Sequence, residues 1–171
     1  MVLMAEPILR IVKSLGNPVT KSKIIVLSAK GKQFNQKMAY DWSKKYSNFV
    51  FITGRYEGID ERVTKILKAE EVSIGPYITT DGDVAAMVVV SAITRLIPNV
   101  INWSSLEDES FLRRELKKEA DSTEGELEYP HYTRPEVLIW RGKKYTVPKV
   151  LLSGDHKKIN EFRQKTRKAS E

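Results

Sequence analysis

Apolar residues after Glu6-Pro7 fall at Ile8, Leu9, Ile11, Val12 and Leu15, the spacing of one helix face, and Gly16 ends the pattern. Lys23 to Ser28, KIIVLS, is a short apolar run with β-branched residues, which predicts a buried strand. Phe34 to Tyr46 returns to helical spacing, and Asn48 to Thr53, NFVFIT, predicts a second buried strand. Ile59 to Leu67 is again helical, and Glu71 to Ile74 supplies a third short strand. Asp83 is the expected cap of a nearly all-apolar helix that runs to Ile97, ahead of Pro98. Short apolar strands alternating with helices predict an α/β domain with a largely parallel sheet.

The pattern then changes. Leu106 to Glu128 is highly charged and contains DSTEG, the composition of a flexible connector. Val137 to Trp140 and Lys143 to Val147 flank Arg141-Gly142, which predicts a hairpin. Asp155 stands at an N-cap position before a basic helix from His156 to about Lys168. The expected division is a domain over residues 1–104, a linker over 105–128 and the start of a second domain over 129–171. No internal repeat or low-complexity tract is present.

Composition narrows the function classes. The chain of 171 residues has no cysteine, which removes disulfides, thiolate metal sites and cysteine catalysis and fits a reducing cytoplasm. Val84 to Ile93 is too short to cross a bilayer, and no signal-peptide pattern suggests export. Charge is unevenly spread: Arg141 to Glu171 holds ten Lys/Arg against three Asp/Glu, an excess equal to the net +7 of the whole chain. Such a basic tail suits a phosphate backbone, although a solvated helix carries the same letters. His131 and His156 lie far apart and lack HExxH spacing, so no metal site is expected.

Each predicted strand leads into a glycine-bearing loop: LSAKGKQF (Leu27 to Phe34), TGRYEG (Thr53 to Gly58) and SIGPYITTDG (Ser73 to Gly82). In an open parallel sheet, ligands bind outside the carboxyl ends of the strands, so these loops should converge. None has the GxGxxG or P-loop spacing of the common nucleotide sites.

The strings LSAKGKQFNQ, GRYEGIDERV, SIGPYITTDGDVAAM, LEYPHYTRPEV and VPKVLLSGDHKKI occur in that order along nearly the whole chain. Together they resemble the bacterial tRNA (guanine-N1)-methyltransferase family, with GRYEGIDERV and PHYTRPEV the most specific. The resemblance implies an α/β SPOUT-type parallel sheet with a deep trefoil knot, followed by a short basic C-terminal extension. It also implies a cytoplasmic homodimer that uses S-adenosylmethionine to methylate N1 of the guanine at tRNA position 37, and it brings in Mg²⁺ as an ion associated with the family.

By that resemblance Leu27, Ser28, Gly54, Tyr56, Ile74, Gly75, Tyr77, Ile78 and Gly82 cradle the cofactor, and Glu57 faces the base or the cofactor amine. Guanine N1 carries a proton, so a base must remove it, and a cation can stabilise the charge that develops toward O6. The resemblance assigns the cation to Arg95. Its general base precedes PHYTRP, where Asp121 in ADSTEG and Glu109 in ESF are the two candidates. His131, Arg134, Lys157, Lys158 and Arg163 are the expected RNA contacts.

The sequence also departs from the family pattern, which extends beyond both MVLMAEPI and VLLSGDHKKINEFRQ. Ala29-Lys30 replaces Pro-Gln, Pro76 replaces an acid, and Asp81 replaces the first glycine of a pair. Asp81 adds a Cβ and a charge beside the cofactor, so weaker binding is expected. Two classes therefore stay open: a tRNA methyltransferase, or a catalytically weak or inactive knotted dimer that binds RNA or cofactor.

Overall fold

A computed structural model of the chain describes residues 1–16, 21–106 and 128–167. The chain divides into two units, Met1–Trp103 and Ser104–Glu171.

In the first unit the elements run α1 (Ala5–Ser14), β1 (Ser22–Gln33), α2 (Gln36–Lys45), β2 (Asn48–Thr53), α3 (Glu61–Leu67), β3 (Glu70–Ser73) and α4 (Gly82–Thr94); the one-turn α5 (Trp103–Leu106) starts at the last residue of this unit and lies otherwise in the second. The three strands form a parallel sheet in the order β2-β1-β3. Ile25 pairs with Phe51 on one side and Glu70 on the other, which makes β1 the central strand. Side chains alternate across it. Ile24 and Val26 join Ile52, Val63 and Ala5 in a cluster closed by Ile8, Leu9 and Val12 of α1 and Leu67 of α3. Ile25 and Leu27 point the other way, toward the face on which α2 and α4 pack.

Three expectations need correction. LSAKGKQF is not a loop after a short strand, because β1 continues to Gln33. Val72 pairs with both Leu27 and Lys32, so residues 28–31 are thrown out as a bulge. Gly31 makes this approach feasible: a Cβ there would stand 2.4 Å from the Val72 nitrogen and 2.5 Å from the Glu71 carbonyl carbon. The α4 cap is Asp81 rather than Asp83, since the Asp81 carboxylate accepts from the Asp83 and Val84 backbone N–H groups. The same helix ends at Thr94, three residues early. There Leu96 and Ile97 donate to Ile93 and Thr94, the i to i−3 pattern of a tightened last turn.

The second unit holds the hairpin β4 (Val137–Trp140) and β5 (Lys143–Thr146), a 3-10 turn at Lys149–Leu152, and α6 (His156–Lys165). Asp155 caps α6 by accepting from the Lys157 and Lys158 backbone N–H groups. The Tyr129 ring lies 4.8 Å from His131 and 4.8 Å from the Arg163 guanidinium, which places the segment around Pro130 against α6.

Candidate functional site

The ends of the three parallel strands deliver three backbone features to one place. The first is the β1 bulge. Lys30 projects from it to Glu61 of α3 at 2.6 Å and to Glu71 of β3 at 3.3 Å. Glu61 first, opposed by its own desolvation, and then Glu71 raise the lysine pKa, while Lys30 lowers that of Glu61.

The second is the loop after β2. Gly58 N–H donates to the Arg55 carbonyl at 3.1 Å and closes a tight turn. Tyr56 within it has φ +57°, a left-handed conformation uncommon for a bulky residue, and its side chain is exposed. Residues 1–3 lie alongside: Leu3 donates to Gly58, Asp60 donates to Leu3 and Glu57 donates to Met1. Asp60 then caps α3, and its bidentate pairing with Arg62 holds its carboxyl at a pKa of about 2.

The third is the turn between β3 and α4. The buried Ser73 hydroxyl donates to the Gly75 carbonyl and accepts from the Gly75 N–H. Tyr77 donates its hydroxyl to Ile74, and Thr79 donates to the carbonyl of Asp81. Gly82 then opens α4 against the second loop: its N–H donates to the Gly54 carbonyl at 3.0 Å. A Cβ on Gly82 would come within 3.0 Å of the Gly54 nitrogen and 3.1 Å of Thr53 Cα.

Between these features lies a cavity of about 520 Å³. Its wall combines apolar side chains (Leu27, Ile59, Ile74, Ile78) with the backbone of Gly54 and Gly82, the hydroxyls of Ser28, Thr79 and Tyr77, and the Glu71 carboxylate. That is the make-up of a small-molecule site, apolar with a few convergent polar groups. At its edge Arg55 reaches Asp83 at 3.0 Å. The Thr53 hydroxyl, and then Arg55, hold the Asp83 carboxyl below its usual pKa.

Nine of the ten positions anticipated for a cofactor line this cavity: Leu27, Ser28, Gly54, Tyr56, Glu57, Ile74, Tyr77, Ile78 and Gly82. Gly75 belongs to the same turn but is buried behind it. Arg95 is not brought to the cavity. It is the C-cap residue of α4, half-buried, and about 20 Å along the helix from Gly82 at 1.5 Å per residue. Asp121 and Glu109 lie outside the described residues. His131, Arg134 and Arg163 line a second cavity of about 420 Å³ in the second unit, and His131 Nε2 lies 3.2 Å from Glu128. Lys157 and Lys158 are exposed on the first turn of α6.

The Arg55–Asp83 pair and the Lys30 bridge escape sequence reasoning, because each joins residues far apart in the chain. Their only signal is a charge set beside a glycine turn. Among the described residues, no group of three or more His, Cys, Asp or Glu side chains could hold a metal ion. None of the helices described is long and apolar enough to cross a membrane.

Comparison with known proteins supplies an independent line. A family model described as tRNA (Guanine-1)-methyltransferase TrmD matches residues 1–170. A protein of Carboxydothermus hydrogenoformans, named tRNA (guanine-N(1)-)-methyltransferase, is 46% identical over 166 residues, covering 96% of this chain and 58% of the relative. Proteins of the same name from Listeria monocytogenes and Exiguobacterium sibiricum are 43% and 42% identical, over 62% and 61% of their own lengths. The chain thus spans about three fifths of the length of these curated relatives.

Proposed function

The chain belongs to the tRNA (guanine-1)-methyltransferase family, and from that premise we propose that it takes part in S-adenosylmethionine-dependent methylation of N1 of guanine 37 in tRNA. The observation that carries this reading is the single cavity lined by nine of the ten anticipated cofactor positions. Its residues fit the group. Gly54 and Gly82 line it without side chains, a Cβ on Gly82 would crowd the Gly54 nitrogen at 3.0 Å, and isoleucines and Tyr77 offer flat apolar walls for an adenine ring. When bound, S-adenosylmethionine supplies an electrophilic methyl group that needs alignment rather than a metal. On this reading Gly54, Gly82 and the Ile74–Ile78 turn hold and orient it, and Glu57, exposed on the second loop, faces the amine or the base.

Proton removal from guanine N1 falls to Asp121, with Glu109 as the alternative, and Arg95 stabilises charge developing at O6. Arg95 can act only if a second subunit carries it to the cavity, because its own helix holds it about 20 Å away. The sequence of α4 supports such a homodimer. Val84, Met87, Val88, Ser91 and Arg95 recur at helical spacing on one stripe, and the three apolar members are exposed. An antiparallel, two-fold pairing of these stripes brings Arg95 beside the start of the partner's α4, where that subunit's cavity lies. We read the parallel sheet as part of the SPOUT-type knotted fold, the first unit as its cofactor domain and the second as the RNA-contacting extension. A tRNA substrate and a cysteine-free chain both suit a cytoplasmic location.

The test is transfer of a labelled methyl group to two tRNA transcripts that differ only at position 37. Incorporation that requires guanine there supports the reading. Cofactor and RNA binding with no transfer to either transcript favours the non-catalytic alternative, an RNA- and cofactor-binding dimer.

A further inference from the structure

We infer that the β4–β5 hairpin is a stacking platform for unpaired nucleotides of RNA. The inference rests on the RNA reading above and adds a surface to it. Opposite residues of an antiparallel pair share a face, and the register pairs Trp140 with Lys143 and Leu138 with Tyr145. One face therefore carries Trp140, Lys143, Tyr145 and Leu138 together. Trp140 is 61% exposed and Tyr145 52%, so both rings present open surface. They lie two residues apart along the ladder, about 7 Å, a separation that neighbouring bases of an extended strand can span.

Charge selects the occupant. Residues 137–146 contain Arg141, Lys143 and Lys144 and no acid. A second copy of the same hairpin would meet like charge, whereas a phosphate backbone complements it. Aromatic faces interleaved with cations suit single-stranded nucleic acid, since bases stack only once they leave the duplex. The ladder continues one rung beyond the two strands, the Val147 N–H donating to the Glu136 carbonyl at 2.9 Å, in the same register that sets the pairing of the two rings.

The experiment is an anisotropy titration of the full 171-residue chain with a labelled oligouridine, a labelled RNA duplex and tRNA, repeated for Trp140→Ala, Tyr145→Ala, Trp140→Phe and Lys143→Gln. Loss of either ring should weaken oligouridine binding by about five- to a hundredfold and leave duplex binding nearly unchanged. Trp140→Phe should retain most of the affinity, and Lys143→Gln should lower the salt dependence for all three probes. The altered side chains are exposed, and unchanged circular dichroism and S-adenosylmethionine binding serve as the folding control. If tRNA binds but the ring variants match the parent on every probe, this inference alone falls. The same holds if they lose duplex and oligouridine binding equally, or change self-association instead. If the parent binds none of the three, the RNA reading falls with it.

Discussion

Gly82 donates its backbone N–H to the carbonyl of Gly54 at 3.0 Å, and the approach is so close that a Cβ on Gly82 would stand 3.0 Å from the Gly54 nitrogen. This contact joins the start of α4 to the loop after β2 and forms one wall of the cavity. Gly82→Ala must push the second loop outward by a few tenths of an ångström. We expect S-adenosylmethionine to bind about tenfold more weakly, equivalent to about 1.4 kcal/mol, while helix stability changes little. Titration calorimetry beside thermal unfolding separates the two effects.

Gly31→Ala tests the bulge rather than the cavity. Its Cβ would overlap the backbone of β3, which has no flexible end to yield. Overpacking of this kind costs about 1–3 kcal/mol, so denaturant midpoints should fall clearly. An unchanged midpoint would mean that β1 and β3 do not pair beyond Leu27.

Asp81 offers a choice between two explanations of one residue. The resemblance treats it as an intruder beside the cofactor; the structure makes it the cap of α4. Asp81→Ala should destabilise the protein by about 1 kcal/mol, and Asp81→Gly by only a few tenths. If Asp81→Gly also leaves cofactor affinity unchanged, the carboxylate does not weaken binding.

Acid should loosen the start of α3. The Asp60 carboxyl is held at about 2, below its ordinary 3.8, by Arg62. A depressed carboxylate contributes stability that is complete above the unfolded value and disappears as pH falls through the folded one. The loss therefore falls between about pH 4 and pH 2, and it should be smaller in Asp60→Asn. Because the group is exposed, the effect should also shrink with added salt.

Replacing Lys157, Lys158 and Arg163 with glutamine should flatten the salt dependence of tRNA binding, by nearly one unit of slope for each phosphate no longer neutralised. An unchanged slope would leave the basic helix as a solvated surface.

The sheet was legible where apolar runs are bounded by turn residues. Asn48–Thr53 has the same limits as a strand by sequence pattern and in the structure. The second half of β1 was not legible, because AKGKQ is polar and its pairing depends on a missing Cβ at Gly31. Asp81 and Asp83 both satisfy the rule for a helix cap, and only backbone geometry decides between them. The residues that line the cavity were named through family motifs, since periodicity says nothing of a cavity. The distance between Arg95 and that cavity could not be read from one chain's letters. It emerges only when α4 is seen to run from the cavity at one end to Arg95 at the other.

Calorimetric titration of the folded 171-residue chain with S-adenosylmethionine is the most direct test of the cofactor site. Saturable binding at one site per protomer is expected, weakened by Gly82→Ala and untouched by Trp140→Ala. A folded protein that takes up no S-adenosylmethionine, or binds it equally well with Gly82 replaced, would contradict the assignment of this cavity.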